Sequence, residues 1–349
     1  LAKDRLMPNG KYGMINMQSW MFLSSFERLR INLLEECTID SMIHLGPRTF
    51  DELSGEVVQN TAFVITNAMP NNTRGTYFRL VEGKNCKEKE QLFLSHIDGN
   101  EDEQRIFYPN VCQKDFEKIP GCPTGYWVNA RTIDIFDSES SMSTISRARL
   151  GQNTGDNDRF LRYWFEISYK QIGRGLTPDY DGISYKWVPY TKGGVSRKWY
   201  STQETIILWL NDGEEVKKYC VIRNHGKHWS RYIQGREFFY KKGIVFPRIG
   251  SGTFNTRLVP EGSIFDVNAP ACFEVEVMTY QLAFLNSIVA RHLLSILCPT
   301  LTFQVGDVSK LPFKIQTSES TDTIENNTEQ NISISKQDWN AHEISWDFQ

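Results

Sequence analysis

The 349-residue sequence predicts an α/β layer followed by a mixed α+β region. Three observations carry that expectation. Apolar runs of strand length alternate with a helix-length amphipathic stretch in residues 1–82, the pattern of a layered α/β arrangement. Short β-rich runs divided by Gly and Pro turns fill most of residues 147–315. The composition, 40% hydrophobic and 13% aromatic, is globular and excludes collagen-like, mucin-like and wholly disordered chains.

The elements follow in order. Lys3 to Met7 reads as the end of a helix closed by the turn Pro8-Asn9-Gly10-Lys11, and Tyr12 to Met17 as a short apolar strand. Ser24 or Ser25 can cap a helix in which Phe26, Leu29, Leu33 and Leu34 recur at helical spacing. Ile39 to Leu45, Val57 to Thr66 and Thr76 to Val81 are the next strands. So few strands, opening on a helix tail, predict the second half of a larger α/β domain, or one with its beginning removed. Residues 83–146 read as a connecting region with a helix from Lys87 to Ser95.

In 147–315, Asp156 or Asp158 can cap a helix through Phe160, Tyr163, Trp164 and Ile167. Strands are predicted at Tyr185–Val188, Thr205–Leu210, Val216–Val221, Gly243–Phe246, Ser263–Asp266 and Ala271–Val275. A single long helix is predicted at Met278–Leu297, stopped by Pro299. The polar tract 316–335 reads as a linker, and 336–349 as a tail whose Trp339, Trp346 and Phe348 must dock to escape water.

The net charge of −3 points to no partner, but its distribution does. Residues 147–260 hold 20 Lys/Arg against 10 Asp/Glu, while the rest holds 19 against 32. The same window carries 20 of the 44 aromatic residues, many beside a cation, as in Arg162-Tyr163-Trp164 and Arg197-Lys198-Trp199-Tyr200. Cations neutralise phosphates and aromatic rings stack on bases, so the mixture suits a nucleic-acid surface as well as an aromatic core with a charged skin. Lys192-Gly193-Gly194 before Arg197-Lys198-Trp199, and Arg248 through Ser251 and Thr253 to Arg257, place glycines, hydroxyls and cations where a backbone can approach phosphate. Arg231 and Arg236 join Lys192, Arg197, Lys198, Arg248 and Arg257 as expected DNA contacts, with Trp199 packing or stacking.

Catalytic signatures are absent from the chain: no G-x-G-x-x-G, Walker loop, H-E-x-x-H or G-x-S-x-G occurs. His225 and His228 have no nearby Cys or carboxylate to complete a zinc site, so no metal is expected. The pairs Asp156/Asp158 and Asp179/Asp181 sit in Gly-containing turns, where Asp is favoured for backbone hydrogen bonding. The seven cysteines show no C-x-x-C spacing and read as reduced cytosolic thiols. No membrane span and no signal peptide is visible, so the expected compartment is the cytoplasm.

Several blocks together resemble one family. They are Asn9-Gly10-Lys11-Tyr12-Gly13-Met14-Ile15, Ser19-Trp20-Met21-Phe22-Leu23-Ser24-Ser25-Phe26, Ile43-His44-Leu45-Gly46 with Phe50, and Val57-Val58-Gln59-Asn60-Thr61-Ala62-Phe63-Val64. Further on come Thr154-Gly155-Asp156-Asn157-Asp158-Arg159-Phe160, the Lys192–Tyr200 block, Phe303-Gln304-Val305-Gly306-Asp307, and Glu343-Ile344-Ser345-Trp346-Asp347-Phe348. The combination is similar to the PglX family, adenine-N6 DNA methyltransferases of bacterial BREX phage-defence systems.

The resemblance implies that 1–82 is the later half of a Rossmann-like methyltransferase sheet and 147–315 a target-recognition domain for double-stranded DNA. It implies S-adenosylmethionine as cofactor of the complete enzyme, and the N-terminal methyltransferase half and other BREX proteins as partners. The cofactor-binding glycine motif and the N-P-P-Y tetrapeptide of the family are both missing here. The chain is therefore expected to be a C-terminal portion, inactive alone, with no catalytic residue of its own. Phe50 stands where a related enzyme stacks an aromatic ring on a flipped base, or else caps the core. Two rival readings remain: a non-catalytic sequence-specific DNA-binding module, and a carbohydrate-active protein using Asp179 in an acid–base pair.

Overall fold

In the computed structural model, residues 3–50, 58–68, 74–99, 105–193, 197–200, 202–249, 254–299, 302–315 and 319–348 are described. The chain divides into two units, Leu1–Glu139 and Ser140–Gln349.

The first unit is built on a five-stranded sheet of β1 (Lys11–Met17), β2 (Thr38–Gly46), β3 (Asn60–Thr66), β4 (Arg74–Arg79) and β5 (Phe107–Cys112), in the order β1-β3-β2-β4-β5. β3 runs antiparallel to both β1 and β2, β2 and β4 are parallel, and β5 is antiparallel to β4. β2 buries Ile39 and Met42 in one core, an odd spacing that goes with a register irregularity between Ile39 and Ser41, and Phe63, Ile65 and Tyr77 belong to the same core. α1 (Glu27–Glu36), α2 (Cys86–Ile97) and α3 (Ala130–Ser138) complete the unit. Asn85 caps α2 by accepting from the Glu88 N–H at 2.8 Å, and Asn129 caps α3 by accepting from Thr132 N–H at 2.9 Å. The helix end expected at Lys3 to Met7 is a single 3-10 turn, Lys3–Arg5.

Two buried cations tie this unit together through carbonyls. Arg30, 2% exposed on α1, donates Nε and Nη2 to the Gly121 carbonyl at 2.9 and 2.7 Å, and Nη1 to the Trp20 and Leu23 carbonyls at 2.9 and 2.8 Å. Lys89 on α2 sends Nζ to the Leu45 and Leu80 carbonyls, each at 2.7 Å, just where parallel β2 and β4 end.

The second unit holds two smaller sheets. One has the order β13-β8-β10-β7, formed by β7 (Leu161–Tyr163), β8 (Trp187–Thr191), β10 (Thr205–Leu208) and β13 (Ile264–Phe265). The other has the order β6-β14-β11-β12-β9, from β6 (Arg147–Arg149), β9 (Trp199–Tyr200), β11 (Gly243–Val245), β12 (Arg257–Val259) and β14 (Ala271–Phe273). Trp187, Ile206, Phe238, Phe265 and Phe273 belong to one shared core, so much of the aromatic content of the basic window is interior.

Four expectations are corrected here. The helix expected to run from Asp156 to Ile167 is one turn, α4 (Asn157–Phe160), after which β7 begins, because Leu161 and Arg162 pair with Ile207 and Ile206. Val216–Val221 is not a strand but lies inside α5 (Leu210–Arg223), where Val216 and Cys220, one helical turn apart, are the buried positions. The long helix is broken at Ser287, whose extended backbone ends α6 (Met278–Asn286) while its hydroxyl accepts from Ala290 N–H at 3.1 Å to start α7 (Ile288–Leu297). The expected linker 316–335 is largely helix: after α8 (Val305–Ser309), α9 runs from Glu319 to Asn340.

α9 lies against α6 and β9, with Thr279 Oγ1 donating to Glu325 at 3.3 Å and Ser335 Oγ donating to the Lys198 carbonyl at 3.2 Å. Its polar composition hid it, since its packing face includes Thr328 and Ser335 and a buried aromatic, Trp339, only near its end. The tail docks as its aromatics require: Trp339 is buried, and Trp346 stacks on Trp164 with centroids 5.4 Å apart. Phe348 stays exposed. No helix among the described residues is long and apolar enough to cross a membrane.

Candidate nucleic-acid interface

A cleft of about 550 Å³ opens in the second unit between α4, β7, the Lys192-Gly193 step that follows β8, and residues 202–205. Its position follows from local chemistry. Asp156 accepts from the Arg159 N–H at 3.1 Å and Thr154 Oγ1 donates to Asn157 Oδ1 at 2.6 Å, which fixes the Thr154–Phe160 loop. On the other side only glycine fits at 193, since a Cβ there would lie 2.2 Å from the Asn268 carbonyl oxygen. The close backbone approach allowed by Gly193 is thus first an internal one. Two blocks far apart in sequence, Thr154–Phe160 and Lys192–Tyr200, meet at this cleft.

Its walls carry both signs of charge. Lys192 is exposed, and Arg162 is steered by Nη1 donating to the Asp158 and Leu161 carbonyls, each at 2.6 Å. Asp158, Glu204 and Glu166 supply carboxylates, the last already accepting from Tyr163 N–H at 2.8 Å. A mixture of donors and acceptors can hydrogen-bond base edges as well as phosphate oxygens. Arg162, Tyr163 and Glu204 were missed as site residues because Arg162 and Tyr163 were read into a helix; a four-residue helix ending at Phe160 turns them outward in β7.

The other expected contacts divide. Arg231 is exposed and Arg248 half-buried, and neither side chain makes a hydrogen bond or ion pair among the described residues. Arg236 pairs with Asp212 and lies 5.3 Å over the Trp229 ring, with Lys217 on the same carboxylate at 2.5 Å. Arg197 pairs with Asp338 and lies over Trp339, and Lys198 Nζ donates to the Asn286 carbonyl at 3.3 Å. Trp199 sits half-buried in left-handed backbone with φ 73° and packs beside β12 in parallel register with Arg257.

Arg257 is the correction: it is 3% exposed, donates to the Lys192 carbonyl at 3.1 Å, and burial pushes its guanidinium down to about 10. A phosphate has no access to it. It acts on the cleft only by holding the backbone of Lys192. Gly194, Ser251 and Thr253 lie outside the described residues.

In the first unit, two of the recognised blocks, Ile43–Gly46 and Val57–Val64, meet in one chain of hydrogen bonds through Gln18. His44 on β2 meets the Tyr126 hydroxyl at Nδ1, 2.9 Å, and Gln18 Oε1 at Nε2, 2.6 Å, while Gln18 Nε2 donates to Gln59 Oε1 at 2.5 Å. Burial, reinforced by Arg79 and Lys89, pushes the imidazole down to about 3. His44 is therefore neutral, with Nε2 donating and Nδ1 accepting. The unfolded chain takes up this proton near pH 6.5, so stability conferred by neutral His44 is present above that value and is lost as pH falls toward about 3. Urea midpoints are expected to drop from pH 7.5 to pH 5, with a slope of about 1.4 kcal/mol per pH unit at most. His44→Gln should flatten that dependence, and an unchanged slope in the variant would remove His44 as its source.

Phe50 follows a turn made by Gly46 (φ 68°) and Arg48 (φ 56°), with Thr49 Oγ1 donating to the Gly46 carbonyl at 3.0 Å. It is 46% exposed and so presents a ring face to solvent beyond the end of β2. The remaining sequence candidates have local duties. Asp179 accepts from Thr177, Asp181 accepts from Ile183 N–H at 2.9 Å, and His228 Nδ1 accepts from Ser230 N–H at 3.2 Å. These are turn and cap contacts, and they favour neither an acid–base pair nor a metal centre.

No protein-family model matches the chain. It is 37% identical over 343 residues to the adenine-specific methyltransferase PglX of Lacticaseibacillus casei (strain Zhang), covering 97% of this chain and 28% of the relative. It is 36% identical over 354 residues to the adenine-specific methyltransferase BrxX of Escherichia coli O9:H4 (strain HS), covering 99% and 27%. Three solved structures share the fold across 96% of the chain. They are the Type IIL restriction-modification enzyme MmeI in complex with DNA (TM-score 0.52, 11% identity, 43% of that chain), the ATP-dependent Type ISP enzyme LlaBIII bound to DNA (0.50, 12%, 25%) and the DrdV–DNA complex (0.50, 11%, 38%). The chain is a homologue of the PglX and BrxX adenine-specific methyltransferases, and it spans a little over a quarter of their length.

Proposed function

We propose that this chain is the DNA-recognising C-terminal part of a site-specific, S-adenosylmethionine-dependent DNA adenine-N6 methyltransferase acting in BREX-type phage defence in the cytoplasm. The observation that carries the reading is the match over nearly the whole chain to PglX and BrxX. The basic window 147–260, with its mixed-charge cleft, supports a DNA-reading role for residues 147–315. The first unit supports the role of a partial methyltransferase sheet. Its edge strand β1 leaves Met14, Ile15 and Met17 exposed, and an apolar cleft of about 660 Å³ beside it is lined by Tyr12, Met14, Trp20, Phe26, Leu29 and Leu33. A long apolar edge is a liability unless another strand or segment covers it. In this reading the N-terminal methyltransferase half supplies that cover, and other BREX proteins are partners of the whole.

The described residues do not fit S-adenosylmethionine. In open α/β sheets ligands bind beyond the carboxyl ends of parallel strands. Here the carbonyls ending β2 and β4 are taken by the Lys89 ammonium, which would face a sulfonium cation with like charge. Cofactor binding and methyl transfer are therefore assigned to the N-terminal half, and this chain alone transfers no methyl group. Phe50 is proposed to stack on the extruded adenine, because it is an aromatic residue left 46% exposed beyond the end of β2.

The test is fluorescence anisotropy of this chain on a mixed-sequence duplex at about 50 and about 200 mM salt, across which several phosphate contacts cost orders of magnitude in affinity. Binding should collapse with salt. The triple variant Lys192→Gln, Arg231→Gln, Arg248→Gln should bind more weakly on every sequence and with a shallower salt slope. Absence of binding at the lower salt would overturn the DNA-reading role.

A further inference from the structure

The residues that follow α4 leave one aromatic feature unexplained by packing. Tyr163 and Phe165 stack on each other with ring centroids 5.3 Å apart and planes within 3°, yet each is 50% exposed. Trp164, between them, takes the opposite course: it stacks on Trp346 and its Nε1 donates to the Ile344 carbonyl at 2.8 Å. The backbone beneath is held from both sides. Tyr163 pairs with Thr205 across β7 and β10, and its N–H is bonded to the Glu166 carboxylate at 2.8 Å. Two large rings are thus half-exposed on a fixed support, Phe165 also meeting the Trp164 ring edge-to-face at 5.8 Å, and so much aromatic surface left in water marks a binding element rather than core.

The surroundings select the occupant. Tyr163 lines the cleft that also holds Arg162 and Lys192, within a window of 20 cations against 10 acids. A flat π-face attached to negative charge answers both the rings and the cations, and that is a nucleobase on its phosphodiester backbone. An apolar helix would need an apolar groove, whereas the cleft is lined by Asn157, Asp158, Lys192, Thr202 and Glu204.

We propose that Tyr163 and Phe165 form a stacking platform for an unstacked DNA base at the edge of the cleft. This rests on the DNA-reading role of the second unit and names the group that unit engages beyond phosphate. Stacking is tolerant of sequence, so the platform adds affinity for distorted or unpaired positions, while the cleft side chains discriminate.

The test uses this chain with two probes: an intact mixed-sequence duplex, and the same duplex carrying a short single-stranded gap with 2-aminopurine in it. The wild-type chain should bind the gapped probe more tightly and change its 2-aminopurine emission. The variant Tyr163→Ala/Phe165→Ala should lose about 10- to 100-fold on the gapped probe and much less on the intact duplex. Tyr163→Phe and Tyr163→Trp, which keep a ring, should restore the preference.

A double alanine variant that still distinguishes the probes as wild type does would overturn the platform while leaving the salt-dependent DNA reading intact. Failure of the wild-type chain to bind either probe would overturn both. Salt-insensitive binding of an oligosaccharide, lost in the same variant, would assign the rings to a sugar and overturn it equally.

Discussion

Replacing Arg30 by alanine should cost the first unit about 2–5 kcal/mol, because three carbonyl oxygens each lose a charge-assisted partner, at about 1–3 kcal/mol for a buried acceptor left unsatisfied. The size follows from what the guanidinium does. It draws the Gly121 loop and the Trp20–Leu23 turn onto α1 through bonds of 2.7 to 2.9 Å to carbonyl oxygens. Without it those carbonyls lose charge-assisted partners inside the protein, where water does not replace them. Arg30→Lys keeps the charge but not the planar fork, so it should recover only part of the loss. Urea unfolding monitored by tryptophan fluorescence measures both. Loss of less than about 1 kcal/mol in the alanine variant would mean that water enters and substitutes for the fork.

The second large effect belongs to the other unit. Trp339→Ala should destabilise it by about 3–5 kcal/mol, the usual cost of truncating a buried aromatic side chain. Trp339 lies near the end of α9, shields Arg197, and anchors the part of the helix that carries Asp338 and Ser335. Its removal should loosen α9 from β9 before the core of the unit melts. Limited trypsin digestion is a direct readout, because Lys336 lies over the Tyr200 ring at 5.9 Å in the docked helix. Cleavage there should accelerate in the variant, and wild-type protection would show that α9 is held by its polar contacts alone.

Both sites bear on what could be read in advance. The strands of the first unit were legible because their residues alternate between buried and less buried faces, as Met42 and His44 on β2 and Phe63 and Ile65 on β3 show with the strand period of two. Arg30 was not, since nothing in a sequence marks one arginine of an amphipathic helix as the one turned inward. α5 was misread because Val216–Val221 is too short an apolar run to separate strand from helix, and only the spacing of Val216 and Cys220 favours the helix. α9 escaped because, before the buried Trp339 near its end, its packing face uses polar residues such as Thr328 and Ser335, whose packing value depends on a neighbour far away in the chain.

The site divides in the same way. The basic window and its glycine step located Lys192 and Gly193, and the Thr154–Phe160 block supplied the facing wall. Local composition could not tell that Arg257 is interior, that Arg197 and Arg236 are paired, or that Arg162, Tyr163 and Glu204 face the cleft. Those facts depend on which strand pairs with which. Charge counts identify a basic region, and register decides which of its cations are available.

The docked tail has a consequence for synthesis and exchange. The Trp164 indole bonds to Ile344, 180 residues later, and Arg174 meets Asp347. The residues of the first unit all precede Ser140, so none of them waits on the tail. The second unit cannot close until the segment carrying Ile344 and Asp347 has been made, so its nascent form keeps the Trp164 ring uncovered until then. For the same reason a transferable piece of the second unit cannot end at residue 315. A graft that left out α9 and the tail would carry the cleft but abandon the clasp that fixes the strand presenting Tyr163.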